Sequence, residues 1–199
     1  MIVRASRFVP PLLAALSLFA AANEAHARYE GNFNLFVGRK WLNVGDWAPV
    51  DEQPQIGLML AFAEERAPIH FSIDAFVSKD EAANADPTVD APVKASSAEF
   101  AIGVRKIWKF GATRPHLGAG AEVVRVRQDL DGPSGPATRE DRGYGAWIDA
   151  GVSWRLAGHL NLGIEARYSK VDANLGSGFV SREVAAGGFH LGVLLGYGW

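Results

Sequence analysis

The sequence predicts an all-β fold, an eight-stranded antiparallel up-and-down transmembrane β-barrel, on three observations. Eight segments alternate apolar and polar residues with period two, each close to the ~10 residues that a tilted membrane strand needs. The connections between them take turns, short then long. Aromatic residues gather at both ends of the apolar rows. Composition agrees, since 22 Gly with 11 Phe, 6 Trp and 4 Tyr in 199 residues suits tight turns and close-packed strands. Zero Cys excludes a disulfide framework, a Cys-based zinc site and a thiol nucleophile. A net charge of −2 gives no electrostatic case for nucleic acid.

Residues 1–27 read as a cleaved signal peptide. Arg4 and Arg7 form its positive start, residues 8–22 its apolar stretch, and Ala25-His26-Ala27 its small-x-small cleavage site. Pro10 and Pro11 and the shortness of the run argue against a membrane-spanning helix. Taking 27 from 199 leaves 172 residues (28–199), expected to form one barrel domain. Loss of two Arg and one Glu moves the net charge from −2 to −3.

The strands follow in order. Segment 31–41 sets Phe33, Leu35 and Val37 against Asn32, Asn34 and Phe36. Segment 55–63 sets Ile56, Leu58, Leu60 and Phe62 against Gly57, Met59 and Ala61. Segment 68–78 opposes Ile69, Phe71, Ile73, Ala75 and Val77 to His70, Ser72, Asp74 and Phe76. In 97–108 the apolar row is Ala98, Phe100, Ile102 and Val104, and the other row is Glu99, Ala101, Gly103 and Arg105. In 115–126 it is Leu117, Ala119, Ala121 and Val123 against His116, Gly118, Gly120 and Glu122. Segment 144–155 sets Ala146, Ile148, Ala150, Val152 and Trp154 against Gly145, Trp147, Asp149, Gly151 and Ser153. Segment 160–170 sets Leu160, Leu162, Ile164, Ala166 and Tyr168 against Asn161, Gly163, Glu165 and Arg167. The last, 187–199, sets Phe189, Leu191, Val193, Leu195, Tyr197 and Trp199 against Gly188, His190, Gly192, Gly196 and Gly198. Successive strand side chains point to opposite faces, so every segment has one oily face and one polar face. Short links (64–67, 109–114, 156–159) alternate with long polar ones (42–54, 79–96, 127–143, 171–186), which puts both chain ends on the short-turn side.

Aromatic placement decides which face is outside. Phe33, Phe62, Trp154, Tyr197 and Trp199 fall at the short-turn end of the apolar rows, and Trp41, Tyr144 and Tyr168 at the long-loop end. Two aromatic belts about an aliphatic middle match a membrane profile with its two interfaces. Asp74, Glu99, Arg105, Glu122, Asp149, Glu165 and Arg167 then lie inside, because lipid is an expensive place for charge. Mixed in sign, they are expected to form a luminal polar network of structural ion pairs.

The run Gly188 to Trp199 (GFHLGVLLGYGW) resembles the C-terminal assembly signal of bacterial outer-membrane β-barrels, carried by Phe189, Leu191, Val193, Leu195, Tyr197 and Trp199. The layout of 28–199 is similar to the small OmpA/OmpX/OmpW-like outer-membrane barrels. That resemblance implies a Gram-negative outer membrane, insertion by the barrel assembly machinery and contact with outer-membrane lipids. It does not imply an activity, because such folds share a scaffold and not a chemistry. A monomer is the expected state.

Eight strands leave an interior just wide enough for side chains, so the chain is porin-like in architecture without an open pore. Inward glycines (Gly57, Gly103, Gly118, Gly120, Gly151, Gly163, Gly192) are expected to make room for Phe76, Trp147 and Met59. One arrangement hints at catalysis: His70, Ser72 and Asp74 share a strand face, with Glu99 on the neighbouring strand. Residues i and i+2 lie about 6–7 Å apart along a strand, and a Ser nucleophile needs its base within hydrogen-bond reach. The His-x-Ser order resembles lipid A deacylase barrels, but those follow it with Asn, where this chain has Ile73, and the position falls near the short-turn end. The reading that results is a non-enzymatic barrel with a structural or surface-interaction role. It has no catalytic residue, metal ligand or cofactor. A barrel that binds or transports a small or hydrophobic ligand is the alternative, and a lipid-modifying enzyme using His70 and Ser72 the second. The four histidines His70, His116, His159 and His190 show no metal-ligand spacing.

Overall fold

The structure, a computed structural model, describes residues 29–82, 93–132, 135–177 and 180–199. The signal-peptide expectation for 1–27 lies outside the described residues. The elements in chain order are β1 (Tyr29–Trp41), α1 (Val44–Trp47), β2 (Glu52–Glu64), β3 (His70–Ala82), β4 (Val93–Ile107), β5 (Thr113–Gly132), β6 (Gly135–Leu156), β7 (Leu160–Ser177), β8 (Val180–Ala185) and β9 (Gly188–Gly198). Every pairing is antiparallel. Strands β1 to β7 pair each with the next, β7 also pairs with β9, and β9 returns to β1. Eight strands thus close an up-and-down barrel, and β8 adds a short hairpin to β7 outside the ring. Closure leaves the barrel without an unpaired edge. Its seam runs from Asn32↔Gly198 to Trp41↔Phe189 and ends where Gly31 and Trp199 exchange backbone hydrogen bonds of 3.1 and 3.0 Å. Among the described residues no helix is long and apolar enough to cross a membrane.

The alternation sorts side chains as the period dictates. Val37, Ile56, Val77, Ile102, Leu117, Ile148, Ile164 and Val193, one from each barrel strand, are 45–60% exposed on the outer wall. The charged phase is buried inside. Glycine supplies the space for the largest luminal ring. A Cβ on Gly103 would sit 2.6 Å, and one on Gly120 2.8 Å, from the Trp147 indole, so two neighbouring strands stay bare beneath it. On the opposite wall Phe36 and Phe76 meet edge to face at 5.4 Å, packed with Met59 and Leu194.

The long connections differ from the sequence expectation. Strand structure runs well into 79–96, 127–143 and 171–186, so that β5 and β6 reach 20 and 22 residues and β8 forms inside the last link. The cause is an inversion of the pattern. Beyond the outer aromatic belt the inward phase becomes oily (Val93, Ala95, Val124, Val126, Val171, Ala173, Leu175), while the outward phase becomes charged (Lys94, Arg125, Arg127, Asp172). A strand rising out of a membrane into water needs that reversal to stay amphipathic. The link 42–54 also folds inward. Asn43 caps α1 by accepting from Gly45 N at 2.9 Å, and Trp47 and Val50, 1% and 0% exposed, fill the barrel mouth. Trp47 Nε1 donates to Ala185 O at 2.6 Å and so ties this plug to β8.

Candidate functional site

The chemistry-bearing residues stack in the lumen in tiers. At the short-turn end Asn161 donates to Asn32 (3.0 Å) and Asn34 (3.1 Å), Arg155 donates to Asn32 and to Asn161, and His70 Nε2 lies 3.2 Å from Glu30. Glu30 also takes an ion pair from Lys109.

The middle tier is built by β3 to β7. Arg105 on β4 grips Asp74 with two hydrogen bonds of 2.9 and 2.7 Å and Asp149 with two of 2.9 and 2.5 Å. Arg167 on β7 bridges Asp74 (2.9 Å) and Glu122 (2.7 Å). Its guanidinium also lies 4.2 Å above the Trp147 ring and 5.1 Å from that of Phe76, so the planar cation is sandwiched by aromatic faces. Register explains the Arg105–Asp149 contact: the two residues flank Gly118 of β5 from either side, and the glycine leaves room for their side chains to meet. Glu165 meets His116 Nε2 at 2.5 Å.

The upper tier centres on Glu99. Lys40 Nζ, wholly buried, donates to Glu99 Oε1 at 2.7 Å and to Ala186 O at 2.8 Å. Gln55 donates to the same carboxylate at 3.2 Å and accepts at 2.8 Å across from His190 Nδ1. Ser97, Ser78 and Gln53 continue the chain of bonds toward Val50. All seven charged residues singled out in the sequence are therefore buried inside the barrel. Six sit together in the middle tier, and Glu99 stands apart with Lys40.

The sequence reading placed His116 and His190 on the inward face, where both are hydrogen-bonded, and missed Lys40. Lys40 is in phase with Asn34 and Phe36, so counting by twos would have placed it inside. His70, Ser72 and Asp74 do not form a catalytic set. Asp74 is committed to two arginines, His70 to Glu30, and Ser72 Oγ has no hydrogen-bond partner among the described residues. Glu99 lies opposite Phe76, away from Ser72, which faces Gly103. His70, His116 and His190 each have separate partners, and His159 stacks on Tyr197 at a turn. In the assembly-signal segment, Phe189, Leu191, Val193, Leu195 and Tyr197 stand on the outer wall, and the Trp199 indole lies over Gly31.

The lumen is filled. Two cavities among the described residues offer about 20 and 10 Å³, room for water and not for an organic solute. Fold and interior together define a small closed barrel with an oily exterior, a buried ionic middle and an apolar cap.

Solved structures of that class are what the chain is similar to. Neisserial surface protein A (NspA) superposes with a TM-score of 0.53 at 14% identity, over 88% of this chain and 97% of that one. Ail, the attachment invasion locus protein of Yersinia pestis, gives 0.56 at 10% identity over 86% and 99%, in a complex with the heparin analogue sucrose octasulfate. The outer membrane protein OprG from Pseudomonas aeruginosa gives 0.55 at 15% identity over 86% and 94%. The chain shares the fold of these small outer-membrane barrels. No protein-family model matches it, and no curated protein matches it in sequence.

Proposed function

We propose that this protein is an integral outer-membrane barrel without catalytic activity, whose work is done by the surface it raises beyond the membrane. The observation that carries this reading is the inversion of polarity along single strands. On β5 and β6 the outer wall is oily up to Val123 and Tyr144 and charged above them, where Arg125 pairs with Glu140 at 2.5 Å. From Tyr144 to the start of β6 at Gly135 the strand climbs nine residues, roughly 30 Å at 3.3 Å each. A paired arm of that length, outside the lipid and bearing both signs of charge, is a surface for contact. The packed lumen supports the same reading against transport. The likeness to Neisserial surface protein A and to Ail supports a surface role. Outer-membrane lipids and the barrel assembly machinery are the partners that the oily wall and the Phe189–Trp199 segment suit.

The experiment is cell fractionation with protease shaving, joined to planar-bilayer recording of the purified protein. The expected result is outer-membrane protein cut only within the arm, and a silent bilayer. Discrete conductance steps would replace this reading with a transport barrel. Recovery in the soluble periplasm would end it.

A further inference from the structure

We infer that the lumen carries a divalent-metal site made by His116, Asp149 and Glu165, with Zn²⁺ the ion that its donors suit. The three residues come from consecutive strands, β5, β6 and β7, and are 8%, 4% and 1% exposed. One ligand atom from each lies within 4.8 Å of the other two. Register makes this convergence. His116 and Glu165 flank Gly151 on either side in the same rung, and Asp149 precedes that glycine by two residues on the same inward face.

The glycines hold the space. A Cβ on Gly151 would come within 2.5 Å of Glu165 Oε2 and 2.6 Å of His116 Cε1, and one on Gly118 within 2.5 Å of Asp149 Oδ1. Any other residue at either position would fill the cradle.

Two donor atoms are available. Asp149 Oδ1 and Glu165 Oε1 are buried and accept no hydrogen bond. Arg105 binds Asp149 through Oδ2 alone, at 2.9 and 2.5 Å, which fixes the carboxylate and leaves Oδ1 to the site. Partners of this kind orient metal ligands.

Charge points the same way. Among the described luminal residues the buried carboxylates Asp74, Glu99, Glu122, Asp149 and Glu165 outnumber the fixed cations Lys40, Arg105 and Arg167. Glu165 makes only a long ion pair with a fixed cation, Arg105 Nη2 standing 4.0 Å from its Oε1, and accepts no hydrogen bond from one. Two carboxylates and one imidazole neutralise a divalent ion, and their nitrogen and oxygen donors fit Zn²⁺ without thiolate. Tetrahedral bonds of about 2.0–2.1 Å set ligands roughly 3.3 Å apart. Binding would draw the three donors, now within 4.8 Å of one another, closer together. The small cavity lined by Arg105, His116, Ser153 and Asn34 reaches the imidazole. The competing arrangement is a plain imidazolium–carboxylate pair between His116 and Glu165, with no metal.

The test uses the full protein folded in detergent, stripped with chelator and titrated with ZnCl₂ and, separately, CoCl₂. The expected result is saturable binding of about one equivalent, cobalt absorption bands of a low-coordinate nitrogen–oxygen site, and a raised unfolding temperature with zinc. Asp149→Asn and Glu165→Gln should abolish saturable binding, while His159→Gln, at the exposed turn histidine, should keep it. Heat-modifiable gel mobility checks that each variant is folded. If a variant fails to fold, the wild-type cobalt spectrum and x-ray absorption decide, through one imidazole in the coordination shell. No saturable zinc binding by the wild type, or binding that survives Asp149→Asn, overturns the site in favour of the metal-free pair.

Discussion

Arg167 shows what a single luminal side chain can be asked to hold. It spans Asp74 and Glu122 and lies between two aromatic rings, so its removal strands the buried Glu122 carboxylate and leaves Asp74 to Arg105 alone. Arg167→Ala should cost on the order of 3–5 kcal/mol in denaturant unfolding in detergent. Lys79→Ala, on the charged outer surface of β3, should cost less than about 0.5 kcal/mol. Equal losses at the two sites would contradict the inside–outside assignment. Ser72 makes the converse point. Buried and unengaged, with Asp74 held by arginines, it has neither base nor orienting acid, so His70→Ala with Ser72→Ala should leave lipid A mass spectra unchanged. The seven luminal charges were legible in the sequence because a charge in the middle of an alternating strand has nowhere to go but inward. Their pairing was not, since partners such as Lys40 and Glu99 are 59 residues apart and meet only through barrel register.

At the scale of elements, the seam and the arm behave differently. Strand β9 carries its outer row into Trp199, whose backbone closes on Gly31. If Phe189 to Trp199 is read by the assembly machinery, deleting Trp199 should sharply lower outer-membrane levels in cells while detergent refolding in vitro falls only modestly. A plain interfacial anchor predicts matching deficits in both measurements. In the arm, the Thr138 hydroxyl donates to Asp129 at 2.6 Å and Arg127 lies beside it at 3.1 Å, which together hold the Asp129 carboxyl below its usual range. A depressed carboxylate stabilises the fold in full above its unfolded value of about 3.9, and that contribution fades as pH falls through the lowered folded value. Amide protection factors in the arm, corrected for the intrinsic pH dependence of exchange, should therefore be unchanged from pH 7 to 5 and fall only in stronger acid. The strand cores were readable because period two is unambiguous over eight oily rows. The arm was hidden because its polarity is reversed. In Val171-Asp172-Ala173-Asn174-Leu175 the alternation is as regular as in any membrane segment, yet polar outward residues and nearby turn formers make it look like loop.

The molecule as a whole has two interiors of opposite character, one ionic below and one apolar above. Leu42, Trp47, Val50, Val126, Ala173, Leu175 and their neighbours form the upper one. Opening it while the lower strands stay in lipid releases hydrocarbon surface into water, and each Å² of apolar surface adds about 0.45 cal/K/mol to the heat capacity. The ionic middle contributes no comparable increment, because polar exposure carries the opposite sign. The two ends should then respond differently to temperature. Hydrogen-exchange protection in the cap, read at Val126 and Ala173, should pass through a maximum near about 10–20 °C and decline on further cooling. The Ile148 and Ile164 amides in the membrane band should gain protection steadily as the sample cools. A cap that only tightened in the cold would not be held by hydrocarbon burial. One that loosens makes the exposed face of this barrel a cold-sensitive surface set on a base that cold only tightens.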